Sequence, residues 1–477
     1  MLKSLLKDSL IYTIPSILSR GLAFFLFPLY TQVLTPTEYG GFDLLTYFGN
    51  LVNLTVALEV GQAVGRFYTE EKDIRKKKLI ASTAFWFSLL SYSLFFVLAL
   101  IFADFITVLL LDDVQWSNLF QTYTIYICLY GLFGLLQNQF RWEFRSKDYA
   151  VISMVVTIVS AFISIYLAYF KGWGIRGIYL GLIIGSLLGC IIGIYKLRET
   201  IVFDFAFNVL KPMLRFSIPL IPSSIAVFLS VYIDRFMINH YLTLTDVGLY
   251  GIGYRLASIV GLVMVGFKGA ITPLIYSNYN KTETPGEISR IFRYFISVGI
   301  IMFLFLSVFS KELLLILTTP EFAFGAQVVV FLVPAIFFAN MYMFTPGMAI
   351  RKKTAYFIYL NIFGALLNVG LNYFLIPIFG ISGAAISTFL GYAVTFGLYM
   401  AVSQKLYFVP HNFAKLILSF VAVFIIGYLG YYLNLNLIQK LGVFISGMSI
   451  IIIGGLVEFK EIKLISSKVV EKYKAII

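Results

Sequence analysis

The sequence predicts an all-α integral membrane protein, and three observations carry that prediction. Of 477 residues, 60% are hydrophobic, 18% aromatic and only 12% charged, with a mean hydropathy of +0.91, whereas an ordinary soluble domain is roughly 25% charged. No soluble core hides that much apolar surface, so lipid acts as its solvent. The apolar segments run about 20 to 25 residues without strict alternation, the length of a membrane helix and not of the ~10-residue alternating strands of a barrel. Lys and Arg gather in short clusters between these segments, as in the loops of a helical membrane protein. In lipid every backbone group must be paired internally, and helices do this.

Windows near 20 residues mark spans at about 10–33, 41–66, 79–103, 116–138, 148–170, 175–197, 217–241, 249–274, 291–317, 325–349, 355–377, 382–404, 415–434 and 440–457. That is about 14 transmembrane helices. Phe105–Leu111 either lengthens the third span or forms a surface turn, and the final pair is short, which leaves a count of twelve or thirteen open. The start, with Lys3 and Lys7 before an apolar stretch too long for a signal-peptide core, reads as a retained first span.

Orientation follows from the cations, because cationic loops resist translocation. Numbering the connections alternately, one set holds 28 of the 36 Lys and Arg, including Lys72 to Lys78, Arg351 to Lys353 and Lys460 to Lys474. The other set holds Lys171, Arg176, Lys311 and Lys440. Both termini are therefore expected in the cytoplasm. The net charge of +13 belongs to these loops and not to a nucleic-acid partner. Cys128 and Cys190 fall inside apolar segments without metal-like spacing and read as packing residues.

The chain also repeats itself. Leu34-Thr-Pro-Thr-Glu-Tyr-Gly-Gly-Phe42 matches Leu242-Thr-Leu-Thr-Asp-Val-Gly-Leu-Tyr250 at an offset of 208, and Gly174-Ile-Arg-Gly177 matches Gly380-Ile-Ser-Gly383 at 206. Pro15 opens the first span as Pro219 and Pro222 open the seventh. Each repeat holds six spans, an even number, so two pseudo-symmetric six-helix lobes related by an axis along the membrane normal are expected. The division reads as 1–198 for the N-terminal lobe, 199–216 for a polar cytoplasmic linker and 217–404 for the C-terminal lobe. An appended helix pair, 405–457, and a basic tail, 458–477, complete it. The tail either lies on the inner surface as an amphipathic helix or is solvated.

An ionisable group near the bilayer centre is disfavoured by roughly 2.5 to 3.5 kcal/mol, so it marks a partner or a wet cavity. Arg20 lies near the middle of span one, Glu59 and Arg66 in span two, Asp234 and Arg235 in span seven, and Arg255 in span eight. All belong to the first two helices of a repeat. Glu59 and Arg66 are two turns apart and share a helical face. Arg66 either snorkels to the headgroups or faces the cavity. Asp234 and Arg235, neighbours pointing about 100° apart, are not each other's natural partner. His240 is expected at the interface. A wet cavity with more Arg than carboxylate suits an anion, and guanidinium forks suit phosphate oxygens.

These residues carry a resemblance. Pro15 through Arg20 to Phe25, Leu34 to Phe42, Glu59-Val-Gly-Gln-Ala-Val-Gly-Arg-Phe-Tyr68, Tyr232-Ile-Asp-Arg235, Val247 to Tyr250 and Tyr254-Arg-Leu256 together resemble the Wzx-type polysaccharide flippases of the multidrug/oligosaccharidyl-lipid/polysaccharide exporter superfamily. The resemblance runs over essentially the whole chain. It implies a transporter, not an enzyme, that moves an undecaprenyl-diphosphate-linked oligosaccharide from the cytoplasmic to the outer leaflet by alternating access, for cell-surface polysaccharide biosynthesis. The diphosphate would meet Arg20, Arg235, Arg255 and Arg66. Glu59 and Asp234 would respond to a coupling ion, sodium or proton, or to the membrane potential. No other cofactor, metal or nucleic acid is implied. Implied partners are the lipid-linked glycan, membrane lipids and other polysaccharide-assembly proteins, with the chain a monomer in a bacterial or archaeal cytoplasmic membrane. A multidrug or cation exporter of the same superfamily is the nearest alternative, and a membrane glycosyltransferase or polymerase a more distant one. Such exporters favour carboxylates over arginines in the cavity, and the enzymes favour a sizeable acidic external loop.

Overall fold

The computed structural model describes residues 26–433 and 435–456. Among them the regular structure is helical, and eighteen α-helices can be numbered. Helices α1 (Pro36–Thr55), α2 (Val60–Glu70), α3 (Ile74–Ile101), α4 (Ala103–Leu111), α5 (Ser117–Trp142), α6 (Ser146–Ile165), α7 (Gly174–Lys196), α8 (Phe207–Ser217) and α9 (Ile221–Tyr241) come first. Then follow α10 (Leu244–Asn278), α11 (Thr284–Val308), α12 (Ser310–Leu317), α13 (Val329–Asn340), α14 (Gly347–Ile350), α15 (Ala355–Phe379), α16 (Ile381–Leu406), α17 (Phe413–Tyr432) and α18 (Leu437–Ile453).

Among the described residues ten helical segments are long and apolar enough to cross a membrane, or eleven if α1 and α2, bent by 42°, form one broken span. The chain is thus a multi-pass helical membrane protein. The expected count of fourteen is not reached by this measure. Helix α18 has only 17 residues, and the predicted first span lies outside the described residues except for a helical stretch at 26–31. The open question at Phe105–Leu111 resolves as the separate helix α4, which ends at Asp112 in the left-handed region, φ +57°.

The repeated motifs have repeated structure. Thr35 caps α1 and shares hydrogen bonds with Glu38; its backbone N–H donates to that carboxylate at 2.9 Å. At the offset of 208, Thr243 and Asp246 do the same at the start of α10, 3.2 Å apart. These caps satisfy backbone N–H groups that a helix start leaves without an intrahelical acceptor. The other repeat, Gly-Ile-x-Gly, is structural as well. Gly174 and Gly380 both sit at positive φ, +53° and +60°. Gly177 and Gly383 then press against the backbone of the preceding helix, at Leu167–Ala168 and at Leu375–Ile376. Small residues there let α6 lie on α7, and α15 on α16.

The chain divides into two compact units, Met1–Gly248 and Leu249–Ile477. The sequence boundary at residue 217 would place α9 in the second lobe, yet α9 packs on α1 in the first unit. The starts of α1 and α10 meet reciprocally: Gly40 lies against the carbonyl of Leu244, Gly248 against that of Pro36, and the Thr37 and Thr245 hydroxyls are 2.8 Å apart. In the first unit α5 also packs on α3 and α7. The expected linker is partly helical. Leu210 and Met213 of α8 are buried with Val60, Ala63, Val64, Tyr68, Ile80, Ala81 and Ala84 of α2 and α3.

In the second unit α13 packs on α16, and α17 and α18 pack on α11 and on each other. The final pair is pinned by Lys440, whose Nζ donates to the Glu312 carboxylate at 2.6 Å.

Candidate functional site

The site is best built from the break in the second apolar segment. Helix α1 ends at Thr55, and Leu58 and Glu59 take left-handed conformations, φ +50° and +53°, before α2 begins at Val60. Neither residue is glycine, and each such residue costs roughly 1 to 2 kcal/mol. Strain of this kind persists where surrounding contacts over-determine it, and it concentrates at functional positions. The expected continuous span at 41–66 is therefore corrected to a bent pair. The bend turns the Glu59 carboxylate to accept a hydrogen bond from the Ser224 hydroxyl of α9 at 2.6 Å.

Beside the break lies a half-enclosed polar cavity of about 280 Å³, lined by α1, α2, α3 and α5. Glu59, Asn53, Ser88, Tyr92, Asn138 and Trp142 contribute its polar wall. Gly131 and Gly134 of α5 leave its floor open. A side chain at Gly131 would overlap the Tyr92 hydroxyl and the Asn53 Oδ1, whereas one at Gly134 would meet nothing.

Higher on the same seam, Tyr47 of α1 stacks on Tyr232 of α9 with ring centroids 4.5 Å apart. The Arg235 guanidinium lies 5.4 Å from the Tyr47 ring and 6.0 Å from that of Tyr232. Its Nη1 donates to Asp234 Oδ1 at 2.6 Å and to the Val231 carbonyl at 3.0 Å. This corrects the expectation that Asp234 and Arg235 do not pair: the long guanidinium arm folds back along α9, which the 100° separation of Cα–Cβ directions does not prevent. Both side chains are buried, at 1% and 4% exposure. Asn239, one turn further on, donates to the Leu110 carbonyl and to Asp112. Ser224, which holds Glu59, is ten residues before Asp234 on α9, a rise of about 15 Å along that helix.

The remaining expected residues fall elsewhere. Arg66 is more than half exposed, pairs with Glu70 at 3.5 Å and lies over the Phe216 ring at 4.8 Å. Arg255 is half-buried on α10. Arg20 lies outside the described residues. His240 is exposed and packs edge-on against Tyr241. The structure thus brings Glu59, Asp234 and Arg235 to one α1–α2–α9 seam. It adds Ser224, Tyr47, Tyr232, Ser88, Asn53 and Trp142, which sequence reasoning missed. Uncharged polar and aromatic residues inside a span give little signal alone, and their partners are distant in sequence.

The described helices thus carry paired motifs at offsets of 206 and 208 and a polar break in one early apolar segment. Over 93% of its length the chain resembles the lipid II flippase MurJ in an inward closed conformation, with a TM-score of 0.72, 15% identity and 98% of that chain covered. It also resembles an inward-facing multidrug resistance MATE family transporter of the MOP superfamily, at a TM-score of 0.61 and 16% identity over 83% of this chain and 97% of that one. A Vibrio cholerae MATE transporter, VcmN, gives 0.55 and 15% over 84% and 97%. By sequence, the "Lsg locus putative protein 1" of Haemophilus influenzae is 24% identical over 277 residues, 57% of this chain. The match covers 65% of that relative's length, just under two thirds. The MatE family matches residues 219–374. The model of the polysaccharide biosynthesis protein family, Polysacc_synt_3, matches residues 30–280, more than half of the chain. The chain belongs to that family, and its fold is the one these flippase and exporter structures share.

Proposed function

We propose that the protein moves an undecaprenyl-diphosphate-linked oligosaccharide from the inner to the outer leaflet by alternating access. The observation that carries this reading is the pairing of polysaccharide biosynthesis family membership with a fold shared along nearly the whole length of a lipid II flippase. The membrane-embedded arginines support the anionic half of the substrate. Arg255 and Arg20 are the candidates for its diphosphate. Arg235 joins them only where its pair with Asp234 opens. Glu59, held by Ser224 in a polar cavity, and Asp234 are the candidates for a coupling cation, because a carboxylate near bilayer depth is the group whose protonation or ion pairing a gradient can bias. The producing cell would be bacterial or archaeal, with both termini cytoplasmic.

The MatE match over residues 219–374 favours one second reading, export of an organic cation. The test is leaflet exchange of a fluorescent prenyl-diphosphate sugar in vesicles holding the purified protein. Wild type should accelerate exchange, and Arg20→Ala and Arg255→Ala should each slow it about 10- to 100-fold, as loss of a charge-assisted hydrogen bond implies. Absence of exchange, with uptake of an organic cation, would replace the flippase reading by the exporter one.

A further inference from the structure

Beyond Glu59, the cavity at the α1–α2 break has a polar lining that the transport reading leaves unused. Ser88 is fully buried, and its hydroxyl, the Asn53 Oδ1 and the Trp142 Nε1–H have no hydrogen-bond partner among the described residues. All three residues line the cavity. Buried polar groups are almost always satisfied, so these three await something that fills the space. At ~30 Å³ each, about nine waters fit.

The kind of ligand follows from the hydrogen-bonding inventory. A bare cation needs acceptors alone and an anion needs donors alone. Here the lining offers acceptors in Glu59 and the Asn53 Oδ1, donors in the Trp142 indole and the Arg141 guanidinium, amides in Gln62 and Asn138, and hydroxyls that do both in Ser88 and Tyr92. That mixture matches a ligand whose own groups are hydroxyls. The indole and phenol rings add apolar faces for ring C–H groups. The volume exceeds what an ion and its first shell require and falls short of two sugar rings.

We propose that this cavity is a subsite for one neutral or N-acetylated pyranose of the glycan, held within the first unit. This deepens the flippase reading and rests on it.

The full-length protein in detergent is titrated with glucose, galactose and N-acetylglucosamine, following the tryptophan fluorescence lost in Trp142→Phe. Parallel titrations use sodium chloride and potassium chloride. At least one sugar should shift the signal saturably. Gly134→Leu, which fills the cavity at a position with open space around it, should weaken that response at least tenfold. Ser88→Ala, which removes only a hydroxyl, should weaken it severalfold and guards against misfolding of the bulkier variant. No response to any of the three sugars overturns the proposal, as does a response to sodium alone, which would make this a cation pocket. Leaflet exchange on the same preparations separates the two readings. If wild type and Gly134→Leu flip the lipid-linked sugar equally fast, the subsite falls and the flippase stands. If wild type flips nothing, the flippase reading falls while the fluorescence still reports on the cavity.

Discussion

Arg235 shows how a residue-scale reading can find the right position and miss its circumstances. A cation in span seven is conspicuous, since lipid opposes it, and so it was legible. Its partner was not, because a side chain with four rotatable bonds reaches back to a neighbour whose Cα–Cβ bond points elsewhere. A pair this buried leaves an uncompensated charge when one member goes, which costs about 3 to 5 kcal/mol, while removing both costs less. Thermal unfolding in detergent should therefore show Asp234→Ala and Arg235→Ala each strongly destabilised and the double variant milder than the sum. Additive losses would mean that the pair does not act as a unit. His411 offers a second case. It sits in the connection before α17 between Phe292 and Phe413, ring centroids 4.8 and 5.4 Å away, and burial pushes its imidazole from 6.5 down to about 4. The unfolded ring takes up a proton near pH 6.5, and the folded one does so only near pH 4. Its contribution is complete above pH 6.5 and is lost as pH falls through that window, up to about 3 kcal/mol. His411→Phe should flatten the decline in melting temperature between pH 6.5 and 4; parallel curves for variant and wild type would contradict this.

At the scale of elements, the apolar runs and the repeated Thr-x-x-acid caps announced most helices, since length in lipid and capping are local matters. The break at Leu58–Glu59 was invisible: neither left-handed residue is Pro or Gly, and Glu59 is held there by Ser224 of α9. The meeting of α1 with α10 was half legible. The shared motif was plain in the sequence, but not that its two copies touch. Their contact predicts that Thr37→Cys with Thr245→Cys, hydroxyls 2.8 Å apart in the native chain, forms a disulfide on mild oxidation. Adding Gly40→Ala inserts a methyl into the Leu244 carbonyl, at a cost of about 1 to 3 kcal/mol, and should sharply reduce the cross-link. Equal yields with and without the methyl would argue that the helix starts are not in backbone contact.

For the whole molecule, the uneven distribution of cations predicts sidedness. Single cysteines in the Lys72–Lys78 connection should be labelled by an impermeant thiol reagent only from the cytoplasmic side, and ones beside Lys171 only from outside. Labelling of both from the same side would break the span parity on which the orientation depends. The division after Gly248 was not legible, because a lobe boundary read from repeats counts motifs, while compactness depends on which faces pack. Helix α9 belongs to the second repeat by motif and to the first unit by contact.

By itself the sequence determined membrane residence, helical class, duplication and family, because each depends on composition or on spacing along the chain. Only the tertiary structure decided that the chain bends between α1 and α2, that Asp234 holds Arg235, that Arg66 pairs with Glu70, and that a polar cavity opens beside Glu59. The physical reason is the same for all four. A buried polar group is defined by what satisfies it, and Ser224 lies 165 residues from the Glu59 carboxylate it caps, a separation that no local pattern spans.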